Sequence, residues 1–159
     1  MAHYNQSTRE RVADINQGLL VKKTGAACDA IATVNIFNIK GGNVCLLGLV
    51  GVWEGNVGAN ATTIALNANP TTGTATAIAT ASGSQTGKTT GAMLTLANDL
   101  GGLISSTNHG AALMGAVPRL FVRGPGVIEM VVADATADNN LTWYLTYVPM
   151  DVGAYVEAA

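Results

Sequence analysis

From Ala30 to Pro149, turn-favouring residues interrupt the chain at intervals of about ten positions, which leaves no room for a helix of ordinary length. The punctuation is Gly41-Gly42, Glu54-Gly55-Asn56, Asn69-Pro70-Thr71-Thr72-Gly73, Ser82 to Gly91, Asn98 to Gly110, Pro118, Gly124-Pro125-Gly126 and Asp134 to Asn140. The segments between are short and rich in branched or alternating residues. In Leu141 to Val148 the alternation is clearest: Leu141, Trp143, Leu145 and Tyr147 share one face, and Thr142, Tyr144 and Thr146 share the other. Asn43 to Trp53 is nearly continuous in apolar residues, as a strand covered on both faces should be. Ile31–Ile39, Asn60–Ala68, Thr74–Thr80, Ala92–Leu96, Ala111–Val117, Leu120–Val122 and Val127–Val132 are weaker strand candidates. Gly41-Gly42 reads as a two-residue hairpin turn joining the first two strands. Ser82 to Gly91 reads as a flexible loop, and Asn98 to Gly110 as a loop around Leu103-Ile104. About eight short strands at this spacing predict an all-β, antiparallel sandwich or barrel.

The two ends of the chain fit this pattern less well. Ser7-Thr8-Arg9-Glu10 has the form of a capping box, and Gly18 is placed to end the helix that would follow. Val12 and Ile15 give that helix only a thin apolar stripe, too little for stability in isolation. Residues 1–29 are therefore expected to form an arm, partly helical, that becomes ordered on a partner surface. Its candidate contacts are Arg9, Arg11, Val12, Ile15, Leu19, Lys22 and Lys23. Without the arm, residues 30–148 should still fold as the β-domain. Residues 149–159 are expected to be a tail. Tyr144, opposite the core-facing side of its strand, is the candidate subunit contact within the domain.

Composition limits the partners. Charged residues make up 11% of the 159, less than half the roughly 25% usual in soluble domains. A surface so poor in charge is either covered by neighbouring subunits or simply polar. The net charge of −2 provides no basic field for a phosphate backbone, so nucleic acid is not an expected partner. The longest apolar run, Val44 to Trp53, is about half a membrane span. The first residues are polar, with no secretory signal, so synthesis in the cytoplasm without a membrane anchor is expected. Cys45 reads as a small core residue; Cys28 and Cys45 do not have zinc-site spacing, and the sequence leaves a disulfide between them open.

Few residues invite catalysis. Gly83-Ser84-Gln85-Thr86-Gly87-Lys88-Thr89 resembles a phosphate-binding loop but has three residues, not four, before Gly-Lys-Thr, with Ser82 where a glycine should stand. It reads as a surface loop. His109 lies near Ser105, Ser106 and Asp99 in one polar stretch, with no rigid elements to make them converge. Asp134, Asp138, Asn139 and Asn140 lack the spacing of a calcium loop and read as a solvated turn. Glu54 and Glu129 are not paired as acid and base. No enzyme activity, cofactor or metal site is expected.

A resemblance covers about three quarters of the chain, from Phe37 onward. It is carried by Ile39-Lys40-Gly41-Gly42-Asn43-Val44, Asn67 to Gly73, Gly124-Pro125-Gly126-Val127-Ile128, and Trp143 through Val156. In these stretches the chain resembles small virion proteins of tailed bacteriophages, of the head-decoration or cement type. The resemblance implies a jelly-roll-like sandwich, bound as a dimer or trimer on the outer capsid lattice, with the major capsid protein as partner. The first rival, which shares the β-rich, low-charge composition, is a phage tail or fibre component that binds a host receptor. A nucleotide-binding enzyme is a second rival, supported only by the loop at Gly83 to Thr89.

Overall fold

Trp143 is fully buried, and its indole N–H points at the sulfur of Met130, which lies on a different sheet, at 3.4 Å. That contact runs through the middle of an all-β fold in which two antiparallel sheets face each other. The computed structural model describes residues 17–97, 101–105, 120–137 and 139–159. Among them are eleven strands: β1 (Leu19–Ala26), β2 (Thr33–Lys40), β3 (Val44–Trp53), β4 (Thr63–Pro70), β5 (Thr76–Ala79), β6 (Met93–Thr95), β7 (Ile104–Ser105), β8 (Leu120–Val122), β9 (Gly126–Ala133), β10 (Leu141–Pro149) and β11 (Tyr155–Ala158). The first sheet has the order β1-β10-β3-β6-β7, with β8 paired beside β6 on the same edge of β3. The second has the order β11-β2-β9-β4-β5.

The core lies between the sheets and follows the alternation of their strands. From the first sheet come Leu141, Trp143, Leu145 and Tyr147 of β10 and Val44, Leu46, Leu49 and Trp53 of β3, all buried. Ile36, Phe37 and Ile39 of β2, Ile128, Met130 and Val132 of β9, and Ile64 and Leu66 of β4 meet them from the second. Gly51 sits opposite Trp143 in the β3–β10 ladder, and a methyl group there would stand 2.8 Å from the indole ring. The missing side chain is what lets one of the two core tryptophans pack against its neighbouring strand.

Several expectations change. Gly41-Gly42 does turn the chain, with φ values of 73° and 149°, but it joins no hairpin. β2 pairs with β9 and β11, whereas β3 pairs with β10, β6 and β8, so the turn is a corner between sheets. Asp151 holds that corner by accepting the Asn43 N–H at 2.7 Å. Asn69 to Gly73, in contrast, leads into a true hairpin of β4 and β5. Leu19–Ala26, expected in the arm, is strand β1, in antiparallel register with β10 from Leu19↔Tyr147 to Ala26↔Leu141. Tyr155–Ala158, expected in the tail, is strand β11, paired with β2. Both are edge strands, half exposed, so their alternation is weak. The helix expected from residue 7 lies outside the described residues, apart from its end: Gln17 is helical, and Gly18 follows with φ 74°. Ala111–Val117 also lies outside them.

The loop from Ser82 to Gly91 is irregular but not free. Its amides donate inward: Ser82 to Ile64 O, Gln85 to Thr62 O, Gly87 to Gly58 O and Gly91 to Trp53 O, at 2.8 to 3.1 Å. Gln85 is fully buried beneath it, its side-chain oxygen accepting from Trp53 Nε1 and its amide donating to Ser82 Oγ and Gly83 O. These partners satisfy the buried amide and tie the loop to the core.

Candidate interaction face

The two outer faces of the sandwich differ. Residues opposite one another in a ladder share a face, so the register gives each row directly. On the second sheet the outward rows are Glu157–Asn38–Val127–Asn69 and Asn35–Glu129–Asn67. These are mostly polar and bond to one another, as in the 2.8 Å contact from Asn69 Nδ2 to Glu129 Oε1. Lys40 and Glu157 form an ion pair at the edge of this face. It is a face built for water.

On the first sheet the outward rows are Lys22–Tyr144–Val50–Thr95–Ile104, Thr142–Val52–Met93 and Val148–Cys45–Phe121. Leu20 stands opposite Thr146 in a further row. Most are apolar. Cys45, Leu47, Val50, Val52, Met93, Tyr144 and Val148 are half-buried, while Leu20, Phe121 and Ile104 at the margins are 66%, 59% and 48% exposed. Antiparallel sheets commonly solvate one face; here β3 is apolar in both phases. Contiguous apolar surface of this kind marks an interaction site more often than an ordinary solvent face.

Local contacts set the edge of this face. Lys22 Nζ lies 5.4 Å from the centre of the Tyr144 ring, a cation–π distance. Glu54, at the end of β3, accepts hydrogen bonds from the Thr142 hydroxyl and, at 2.8 Å, from the Gly25 N–H. The Thr142 bond, then the Gly25 bond, hold the Glu54 carboxyl below its ordinary range, with Lys22 adding a smaller effect. A carboxyl whose pKa is lowered by folding contributes stability above its unfolded value, near 4.3, and loses it as pH falls through the folded value. Glu54→Gln should therefore lower the melting temperature at pH 7, and the gap from wild type should narrow as pH falls below about 4.3. Thermal unfolding from pH 7 downward checks this; a gap that does not narrow in acid would refute it.

The residues singled out in the sequence are divided by the fold. Lys22 and Tyr144 come together on the outer face of the first sheet. Leu19 and Lys23 do not join them: their ladder partners are Tyr147 and Trp143, which point inward. Lys23 instead donates to the Ala159 carbonyl oxygen, beside β11, where the two sheets close against each other. Tyr147 reinforces that closure by accepting the Val156 N–H at 3.1 Å. Arg9, Arg11, Val12 and Ile15 lie outside the described residues. Leu20, Val50, Val52 and Phe121 were not singled out; the signal for the β3 pair was the double-phase apolar run of their strand.

The chemical constellations weighed in the sequence are not assembled among the described residues. Gln85, Thr86, Gly87 and Lys88 spend their amides on bonds within the protein, to Thr62 O, Ser84 Oγ, Gly58 O and Gln85 O. Asp134 accepts from the Thr63 hydroxyl at 2.6 Å and Asn139 donates to Asn56 O at 2.7 Å, each a fixed loop contact. Asp99, Ser106, His109 and Asp138 lie outside the described residues. No group of three His, Cys, Asp or Glu side chains able to hold a metal occurs among the described residues. Cys28 and Cys45 are both free thiols. Burial, with Asp29 beside it, pushes the Cys28 thiol up to about 12, so it stays protonated and inert at neutral pH. Among the described residues no helix is long and apolar enough to cross a membrane. No family model, no curated protein and no solved structure matches the chain.

Proposed function

We propose that this protein is a virion structural protein of the head-decoration, or cement, type, bound to the outer surface of an assembled capsid through the outer face of its first sheet. The observation that carries the reading is the contrast between the two outer faces, one apolar from Leu20 across Tyr144 and Val50 to Phe121, the other lined by Asn38, Asn67, Asn69, Glu129 and Glu157. One face suits a protein partner and the other suits solvent. The low charge of the whole chain and the resemblance carried by Phe37 onward support the same reading. The jelly-roll-like connectivity and the dimeric or trimeric state implied by that resemblance belong to this proposal as well.

The mechanism is thermodynamic. A protein that binds the assembled shell better than free capsid subunits stabilises the shell by mass action, as any ligand of one state does. A standard interface buries roughly 800 Å² on each partner, which a six-stranded face can supply. No reacting group is required, only a rigid body and many copies. Purified particles lacking the protein, incubated with it and sedimented, test the reading. Wild type should saturate at hundreds of copies per particle. Leu20→Asp, a change at an exposed site, should leave the melting temperature unchanged and cut particle affinity by about tenfold, because it places a charge on the apolar face. Saturation at a few copies, located at the tail, would replace this reading with the tail or fibre component; no binding would overturn both.

A further inference from the structure

The sandwich is closed along one side and open along the other. On the closed side β1 lies against β11, with the Lys23 bond to Ala159 across the junction. On the other side β5 ends the second sheet, and β8 pairs only with β3 in the first. Each therefore presents one strand edge with no ladder partner among the described residues. Just beyond β5 the two sheets do meet, through a bridge from Thr80 to Gly102 and a 3.2 Å bond from Thr80 N to Gly101 O. The opening that remains lies between the start of β5 and β8.

That opening is a cleft of about 290 Å³. Ala77 and Ile78 line it from β5, and Phe121 and Val122 from β8, so its walls are largely apolar. Arg123 stands at its mouth near Gly73, exposed, and makes no ion pair among the described residues. Residues 71–77 are all exposed along the β5 side. The cleft is continuous with the apolar outer face through Phe121, which belongs to both. Among the described residues, two strand edges without ladder partners, apolar walls and one cation match an extended chain that alternates apolar side chains and carries a carboxylate.

We propose that the β5–β8 cleft docks an extended, alternately apolar, acidic segment of the protein partner, which adds a strand to the open side of the sandwich with its carboxylate at Arg123. β8 has 3 residues and β5 has 4, so they offer roughly 10 to 13 Å of strand edge. Main-chain bonds to the free edges supply binding, and Ile78, Val122 and Arg123 supply selectivity. This deepens the proposed role and rests on it for the partner's being a protein of the particle; the cleft itself is testable on the free protein.

The probe is a blocked heptapeptide, Thr-Val-Thr-Val-Asp-Val-Thr, labelled and titrated with the full-length protein by fluorescence anisotropy. Its controls carry Lys in place of Asp, or Pro in place of the central Val. The Asp peptide should bind about fivefold more tightly than the Lys peptide, the scale of one exposed ion pair. Arg123→Glu should reverse that preference while leaving the melting temperature unchanged. The Pro peptide should bind poorly, because it lacks an N–H for the ladder. No binding by any peptide up to millimolar concentration overturns the proposal, as does a charge preference that Arg123→Glu leaves alone. Concentration-dependent self-association that is lost in Arg123→Glu would assign the cleft to a second copy and also overturn it. Failure to bind particles, with the peptide result intact, would fall on the cement role alone.

Discussion

Deletion of residues 1–29 is expected to unfold the domain. The sequence pattern suggests a dispensable arm, yet the removed stretch includes all of β1, which pairs with β10 from Leu19 to Ala26. Ala26 and Cys28 are buried in the core, and the Cys28 carbonyl accepts the Ala137 N–H at 2.8 Å. The Gly25 N–H is one of the two donors to Glu54. Without β1, the main-chain groups of β10 lose their partners on that side, and Tyr147, Leu145 and Trp143 lose cover at the edge of the core. A strand's worth of hydrogen bonds at about 1 kcal/mol each, together with the buried side chains, is comparable to a domain's whole stability of roughly 5–15 kcal/mol. The truncated chain should show no cooperative thermal transition and should be degraded quickly by protease. A cooperative melt within a few degrees of the full-length protein would show that β1 contributes little and that the arm reading holds.

Trp143→Ala should be the most damaging single core substitution. The side chain is fully buried between the sheets, lies against Gly51, and reaches Met130 with its N–H. Its removal leaves a void bounded by two backbones that cannot collapse into it, because the ladders on both sides fix their separation. Truncation of a buried tryptophan costs about 3–5 kcal/mol. For a domain of this size that lowers the melting temperature by roughly 6–20 °C. The urea midpoint should fall with little change in slope, as the folded state keeps its surface. Trp143→Phe, which fills part of the space, should cost clearly less. Equal losses for the two variants would mean that the indole fit against Gly51 is not what matters.

Strand existence was written in local pattern. Leu141 to Val148 was legible because its two phases differ so sharply, and it became β10 with the expected residues inside. Asn43 to Trp53 was legible as a strand, found at Val44–Trp53, but among the described residues only its inward phase is fully covered, its outward Cys45, Leu47, Val50 and Val52 being half exposed. Asn69 to Gly73 was legible as a turn because Pro70 fixes its φ and Gly73 admits the positive φ the turn uses; that the turn joins β4 and β5 in a hairpin came from the tertiary structure. β1 and β11 were not legible. Leu19-Leu20-Val21-Lys22-Lys23 and Tyr155-Val156-Glu157 have little period-2 contrast, since edge strands bury only part of one face.

Alternation and turn chemistry, which act over a few residues, determined that this chain makes short strands and that one of them is apolar on both sides. Partnership was decided only by the tertiary structure. Gly41-Gly42 marks a turn without saying whether it closes a hairpin or carries the chain from one sheet to the other; it does the latter, since β2 pairs with β9 and β11 while β3 pairs with β10, β6 and β8. The placement of Lys22 and Tyr144 on one face, with Lys23 turned inward and away, depends on the register of β1 against β10, two segments more than a hundred residues apart. A one-residue slip there would exchange the faces, and nothing local to either strand could set that choice; the buried core between the sheets does.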